Sequence, residues 1–187
     1  MYTFVYISLN LDKKMKKVEN IKKIAVFDFD QTIAYTPLPE DGKIEYKNKT
    51  GKDWPHSGWW GRKESLDDEI FDIDVNKKVV DDYKENHDND KILLVLLTGR
   101  IKKLSGDVEK ILNKHNLHFD EYYYNDGGST DKFKLSILDK LINKYENVEY
   151  VEMWDDRLEH IPKFEAWGKE NIINGNIKDF NINVILS

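Results

Sequence analysis

Two pairs of aspartates have the residue type and the spacing for phosphoryl chemistry. Asp28 and Asp30 stand two positions apart after a short apolar run, and Asp155 and Asp156 follow another. Like charges held this close need a cation or a shared proton, and oxygen ligands favour Mg²⁺. One carboxylate of the first pair could attack phosphorus while the other handles the leaving-group proton. The pairs therefore predict a Mg²⁺ site, with solvated strand ends as the alternative.

Other residues with phosphate-binding potential follow the strongest apolar run. The hydroxyl of Thr98 and the backbone amide of Gly99 can donate to a phosphate, although an ordinary turn is the favoured interpretation of this short motif by itself. Only three of the 29 basic residues are arginine, the planar phosphate binder. Of these, Arg100 and Arg157 lie inside the polar motifs, where they could bind phosphate or pair with an acidic side chain.

The apolar runs predict the strands that must position these residues. Four runs are typical of buried parallel strands, at residues 24–27, 92–97, 121–124 and 148–154. Amphipathic helical spacing between them predicts βα units and an α/β fold with a doubly wound parallel sheet. In such a sheet a site forms at the carboxyl ends of the strands. We therefore expect the polar clusters to meet at one edge.

The predicted helices have candidate capping residues. Asn76 and Ser105 precede the first two, and Thr130 or Asp131 precedes the third. A fourth helix is predicted with Pro162 in its first turn and Gly168 at its end.

The predicted domain organisation is an N-terminal extension at 1–20 and a single domain at 21–187, with an insert at 36–74 that folds over the site. Translation could also begin at Met15. The insert holds Trp59 and Trp60, one of which could stack on a base or sugar, a role balanced against packing in a small local core. Arg62 follows them and could contact a substrate phosphate, although a solvated arginine is the favoured interpretation.

Composition excludes several classes of protein. Cysteine is absent, which excludes a disulfide scaffold and a thiol nucleophile. A formal net charge of −6 argues against non-specific coating of nucleic acid. No run approaches 18 apolar residues and no secretory signal is recognisable, so we expect an intracellular, cytoplasmic protein without a membrane partner.

The polar motifs together resemble those of the haloacid dehalogenase-like (HAD) superfamily, and more closely its branch named for Swiss Army Knife RNA repair proteins. The segments that carry this resemblance are DFDQT at 28–32, TPLP at 36–39, GWW at 58–60, SL at 65–66, LLTGR at 96–100, FK at 133–134 and DDR at 155–157, followed by His160 and Phe164. The resemblance implies a Rossmann-like three-layer α/β/α fold with a central parallel sheet and a small cap insert. One departure is Gln31, which stands where glycine is common in the wider superfamily.

The resemblance also implies roles for individual residues. Asp28 would be a nucleophile that forms an aspartyl-phosphate, and Asp30 the general acid. Lys134 would neutralise the phosphate, although Lys132 also lies near the helix start. The residues implied to hold the phosphoryl group are Thr98, Gly99, Arg100 and Lys134; those implied to hold Mg²⁺ are Asp28, Asp30 through its backbone carbonyl, Asp155 and Asp156.

The leading functional hypothesis is a Mg²⁺-dependent phosphomonoesterase acting on nucleic-acid ends or nucleotides. The alternatives are a small-metabolite phosphatase and a non-catalytic module that binds a phosphorylated end. A repair ligase or kinase would be a fitting partner for the first, and the sequence does not name one.

Overall fold

The structure, a computed structural model, describes residues 18–186 and is built around one parallel sheet. Its strands are β1 (Lys23–Phe27), β2 (Ile92–Ile101), β3 (Glu121–Asn125), β4 (Tyr150–Asp155) and β5 (Asp179–Val184), in the order β3-β2-β1-β4-β5. Most of the N-terminal extension predicted for residues 1–20, and the alternative start at Met15, lie outside the described residues.

Helices cover both faces of the sheet. They are α1 (Pro39–Thr50), α2 (Asp68–Phe71), α3 (Lys77–His87), α4 (Ser105–Lys114), α5 (Thr130–Lys144) and α6 (Ile161–Ile173). Alternation along β1 explains the layering, because Ala25 and Phe27 pack with α3 and α4 while Ile24 and Val26 pack with α5 and α6. The fold is therefore the three-layer α/β/α arrangement expected from the sequence. Within the described part of the chain, every helix is too short or too polar to cross a lipid bilayer.

The centre of the sheet determines where a site can form. β1 pairs with β2 on one side and with β4 on the other, and Phe27 stands opposite Leu96 and Trp154 in the two registers. Phe27 and Trp154 stack with their ring centroids 4.2 Å apart. The strand order reverses between β1 and β4, and a crevice outside the carboxyl ends of the strands is the usual binding place in such a sheet. The two predicted aspartate pairs lie at the carboxyl ends of these two strands.

Several predicted boundaries differ from the observed ones. β2 continues to Ile101, so Thr98, Gly99 and Arg100 belong to the end of the strand, where the pairing with β3 shifts register, and not to a strand-to-helix turn. β5 lies outside the four predicted strands, although the alternation of polar and apolar residues in its sequence is typical of a half-buried strand.

The prediction that α6 ends at Gly168 is wrong, since the helix continues to Ile173. Gly168 is buried inside it, and a Cβ atom there would lie 2.2 Å from the Phe180 ring. The glycine therefore allows α6 to approach β5 closely.

The predicted caps are displaced by one residue in two helices. Asn76 does occupy the N-cap position of α3, as predicted. Ser105 is instead the first residue of α4, and Ser129 rather than Thr130 or Asp131 occupies the N-cap position of α5.

The segment predicted as an insert contains two helices and a small aromatic core. The prolines, glycines and tryptophans of residues 36–74 predict an insert without naming a helix, whereas the structure has α1 over Pro39–Thr50. Trp59 is 4% exposed, donates its indole N–H to the Pro37 carbonyl at 2.9 Å and packs against Trp54 and Phe71. These contacts hold the segment against the α3 and α4 face of the sheet.

Candidate active site

The ends of β1 and β4 bring three aspartates together. Carboxylate oxygens of Asp28, Asp155 and Asp156 lie within 4.8 Å of one another, with the first two side chains buried and the third half-buried. Their position follows from the parallel register, since both strands end at the same edge of the sheet. The predicted meeting of the two aspartate pairs is thus observed for three of their four side chains.

A buried lysine from α5 lies against this cluster. The Lys134 ammonium is 2.6 Å from Asp155 Oδ2 and 2.9 Å from Asp28 Oδ1, and its side chain is 1% exposed. Lys132 is exposed on the opposite side of the helix. Of the two candidate lysines, the structure therefore places Lys134 at the site.

The cluster of three carboxylates and one ammonium has an excess of negative charge. Burial, reinforced by Asp155, Asp156 and Asp30 and opposed by Lys134, raises the pKa of Asp28 to about 8. Burial and the neighbouring Asp155 raise the pKa of Asp156 to about 6. The surrounding carboxylates outweigh the burial of Lys134 and raise the pKa of its ammonium. One lysine thus leaves the three carboxylates short of positive charge.

A divalent cation fits this donor set. Oxygens around one Mg²⁺ lie at most about 4.2 Å apart, twice the usual ligand distance, so three oxygens within 4.8 Å need only a small adjustment. The cation would also supply the missing positive charge. Asp28, Asp155 and Asp156 could therefore hold Mg²⁺.

The Asp30 side chain belongs to a different arrangement. Its carboxylate forms a bidentate ion pair with the buried Arg100 guanidinium, with Nη2 to Oδ1 at 2.7 Å and Nε to Oδ2 at 2.9 Å. The Thr36 hydroxyl donates to the same Oδ1 at 2.7 Å. The side chain of Asp30 thus lies outside the three-aspartate cluster, and its predicted contribution to a metal site through the backbone carbonyl stays a prediction.

The end of β2 closely approaches the start of α5. Thr98 is fully buried and its hydroxyl accepts the Arg100 N–H at 3.1 Å. Gly99 faces Thr130, whose Cγ2 would lie 2.9 Å from a Cβ atom at position 99. The close approach explains why a glycine stands here, and it leaves the Gly99 backbone beside the cluster.

A cleft of about 360 Å³ joins the two arrangements. It is lined by Asp28, Asp30, Trp60, Gly99, Arg100, Thr130, Lys134 and Arg157. Trp60 is half-buried with its ring over the Arg100 guanidinium, 4.9 Å from ring centroid to Cζ. The Arg157 side chain is 39% exposed and lies 3.9 Å from Glu159. The cleft therefore combines carboxylates, cations and one aromatic face.

Some residues predicted to contact a substrate lie outside the cleft, and some residues that line the cleft were not predicted to do so. Trp59 packs in the core of the insert, so of the tryptophan pair Trp60 is the one that lines the cleft. Arg62 is half-buried and contributes backbone contacts to Trp59 and Ser65. Thr130 was considered only as a helix cap. Ser65 belongs to a segment that carries the family resemblance, but nothing in the sequence predicts that its hydroxyl accepts a hydrogen bond from Arg100.

Solved structures support the fold. The chain is similar to a chain of the Pnkp1/Rnl/Hen1 complex, with 16% identity, a TM-score of 0.54 and coverage of 89% of this chain and 46% of that one. A second structure of the Pnkp1/Rnl/Hen1 RNA repair complex gives 17% identity, a TM-score of 0.53 and coverage of 80% and 40%. This chain therefore spans less than half the length of those two. The archaeal β-phosphoglucomutase from Pyrococcus sp. strain ST 04 gives 16% identity, a TM-score of 0.50 and coverage of 78% and 83%.

A family model also matches most of the chain. It describes HAD domain family 1 in Swiss Army Knife RNA repair proteins and matches residues 46–186. The match includes the end of β2, Lys134 and the aspartate pair after β4, and it begins after the pair that follows β1. The matched region contains the strands β2 to β5 and omits β1, which leads into Asp28 and Asp30. The chain therefore belongs to the family described as HAD domain family 1 in Swiss Army Knife RNA repair proteins, within the HAD superfamily.

Proposed function

We propose that this protein is a Mg²⁺-dependent phosphomonoesterase that acts on nucleic-acid ends or nucleotides through an aspartyl-phosphate. One observation carries the proposal: the two aspartates of a single motif line one cleft in opposite surroundings. Asp28 lies among carboxylates against Lys134, and Asp30 is paired with Arg100. Different surroundings suit different roles in one reaction. Membership of the HAD superfamily supports the same reaction type.

The proposed reaction has two steps with complementary proton transfers. Asp28 attacks phosphorus as the bond to the leaving oxygen breaks, and Asp30 gives that oxygen its proton. Water then attacks the phosphorus of the aspartyl-phosphate, returning Asp28, while the Asp30 carboxylate takes the proton of the water. Lys134 neutralises charge on the phosphoryl group. The backbone amide of Gly99, with Thr98 and Arg100 nearby, positions the oxygens of that group. Mg²⁺ bound by Asp28, Asp155 and Asp156 would supply further charge stabilisation.

The walls of the cleft support a nucleotide as substrate. Trp60 presents an aromatic ring beside the phosphate site, and bases stack on such rings without sequence preference. Arg157 offers a partly exposed guanidinium that can pair with a second phosphate. A volume of about 360 Å³ lies at the small end of ligand pockets, so a small metabolite phosphate is the second candidate substrate.

The test is phosphate release from matched RNA and DNA oligonucleotides that carry a 3′ or a 5′ phosphate, beside an aryl phosphate. Each is assayed with Mg²⁺ and with EDTA. Asp28→Asn is the test variant, and Asp90→Asn, an exposed aspartate just before β2, is the control.

We expect Mg²⁺-dependent release from one kind of end, lost in Asp28→Asn and kept in Asp90→Asn. Release from the aryl phosphate alone would favour a metabolite phosphatase. Binding of phosphorylated ends without release from any ester would contradict the proposed activity and favour the binding module.

A further inference from the structure

Arg100 connects the proposed acid to the insert. Its side chain is 1% exposed, and the guanidinium makes five hydrogen bonds. Three go to Asp30: Nε to Oδ1 at 3.0 Å, Nε to Oδ2 at 2.9 Å and Nη2 to Oδ1 at 2.7 Å. A planar fork bound in this way fixes the plane of the carboxylate as well as its distance.

The other two hydrogen bonds go to the insert. Nη1 donates to the Trp60 carbonyl at 2.8 Å and to the Ser65 hydroxyl at 2.7 Å. Ser65 is fully buried and donates in turn to the Arg62 carbonyl at 2.7 Å. The Trp60 ring covers the guanidinium. The orientation of Arg100 thus depends on how the segment from Trp60 to Ser65 packs.

The two oxygens of Asp30 are bound unequally. Oδ1 accepts from Arg100 Nε and Nη2 and from the Thr36 hydroxyl. Oδ2 accepts from Arg100 Nε, at 2.9 Å, as its one hydrogen bond among the described residues. A carboxylate oxygen has two lone pairs, so Oδ2 keeps capacity for a substrate group in the cleft. Arg100 and Thr36 therefore select the oxygen that Asp30 presents.

We propose that Arg100 is a positioning residue for Asp30, and that the insert holds Arg100 in place. Asp30 is then correctly oriented only while residues 58–66 pack against the end of β2. This inference rests on the proposed function, in which Asp30 serves the leaving group. Displacement of a proton donor by about 1 Å can cost on the order of 100-fold in rate, so a contact behind the acid can control the reaction.

The kinetic test separates positioning from general damage. Ser65→Ala removes one insert contact, Arg100→Lys keeps the charge without the fork, and Lys102→Met changes an exposed basic residue nearby as the control. First-turnover rates are measured with a phosphorylated dinucleotide, whose alkoxide leaving group needs an acid, and with an aryl phosphate, whose leaving group does not.

We expect both test variants to lose about 10- to 100-fold in the dinucleotide rate, with KM changed by less than about twofold. The first turnover of the aryl phosphate should stay within about threefold of wild type, and Asp30→Asn should give the same pattern. Equal losses on both esters, or a change confined to KM, would overturn the positioning role.

Amide hydrogen exchange tests the same coupling without turnover. We expect residues 58–66 to exchange at least about tenfold faster in Arg100→Lys and Asp30→Asn than in Lys102→Met, with β1 unchanged. Unchanged exchange at residues 58–66 would overturn the coupling whatever the kinetics show. A wild-type protein that is silent on both esters while its variants exchange faster would support the coupling and overturn the proposed phosphatase function.

Discussion

The cleft has two sides, and each contains one aspartate of the same short motif. On the Asp28 side, three carboxylates share one buried lysine, and all of them come from strand ends and α5. On the Asp30 side, one carboxylate meets one arginine, and the arginine is held by the insert. On the first side negative charges outnumber the one positive charge, whereas on the second side one carboxylate is matched by one guanidinium. Two residues of identical chemistry therefore acquire different properties from the elements packed around them.

The sheet and the insert therefore position different groups of the cleft. Excess negative charge at the sheet edge prepares a place for a cation, and that edge exists wherever β1 and β4 pair. The Asp30 side depends on a segment that is not part of the sheet. Substitutions on the two sides of the cleft should therefore change stability and activity differently.

Removing the buried lysine should have the largest effect. Lys134→Met leaves Asp28 and Asp155 without their shared partner, so we expect the free energy of unfolding to fall by about 3–5 kcal/mol. Phosphate release should fall by on the order of 1,000-fold. Urea denaturation and a phosphate-release assay measure the two effects.

Lys132→Met is the matched control on the same helix. Its side chain is exposed, and we expect a change within about 0.5 kcal/mol and little loss of activity. A larger loss in Lys132→Met than in Lys134→Met would contradict the placement of Lys134 at the site.

The two adjacent tryptophans allow a similar contrast within the insert. Trp59→Ala removes a buried ring and should lower the free energy of unfolding by about 3–5 kcal/mol. Trp60→Ala should cost less stability. It should instead weaken the binding of a phosphorylated oligonucleotide by about 1–3 kcal/mol, the range typical of base stacking, and KM should rise accordingly. Denaturation and steady-state kinetics of both variants check this, and a stability loss confined to Trp60→Ala would reverse the assignment.

The polar motifs were predictable because each lies at or just after the end of an apolar strand, and that position is readable from sequence. Asp28, Asp155 and Gly99 lie at the predicted edge for that reason. Other features depend on distant packing. The interior position of Gly168 reflects the approach of Phe180, and the direction of Trp60 reflects Arg100. Sequence periodicity contains no signal for such contacts.

The elements that escaped prediction lie at the margins of the core. β5 is an edge strand whose polar residues face outward, and α1 buries little beyond Gly42. α1 therefore presents no apolar stripe, and β5 presents an alternation of only six residues without a continuous apolar run. The role of Ser65 needed the structure for a related reason, since a lone hydroxyl acquires meaning only from the guanidinium beside it.

The excess charge on the Asp28 side should make stability depend on pH. Asp28 and Asp156, with pKa values raised to about 8 and about 6, bind protons more tightly in the folded protein than in the unfolded chain, where carboxyls titrate near 4. Their contribution to stability is therefore complete below pH 4 and is lost as pH rises through about 6 and then about 8. The slope is at most about 1.4 kcal/mol per pH unit for each proton.

Denaturation of metal-free protein between pH 5 and 9 measures this slope. We expect the stability contributed by Asp28 and Asp156 to fall from pH 5 to about pH 8, and Asp28→Asn to remove the fall between about pH 6 and pH 8. Stabilisation by Mg²⁺ should grow over the same interval, because the cation competes with those protons. A metal-free slope that is the same in wild type and Asp28→Asn would contradict the account.

The smallest expected effect concerns Gln31, which directly follows Asp30 in the chain. Gln31 has φ of +56°, a left-handed conformation that costs an L-residue about 1–2 kcal/mol and costs glycine nothing comparable. Its side-chain amide also donates to the Thr36 carbonyl. We therefore expect Gln31→Gly to gain about 0.5–1 kcal/mol in the free energy of unfolding, since relief of strain exceeds the loss of one hydrogen bond worth about 0.5–1 kcal/mol.

Gln31→Ala separates the two contributions, because it loses the hydrogen bond and keeps the strain. It should be less stable than Gln31→Gly by about 1–2 kcal/mol in urea denaturation, and equal stabilities would show that the left-handed backbone is not strained. Thr36 binds Asp30 from the insert side, so both variants should also loosen the acid. A variant that gains stability and loses dinucleotide turnover would show that Gln31 preserves the geometry of Asp30 at a cost in folding free energy, while the Asp28 side is untouched.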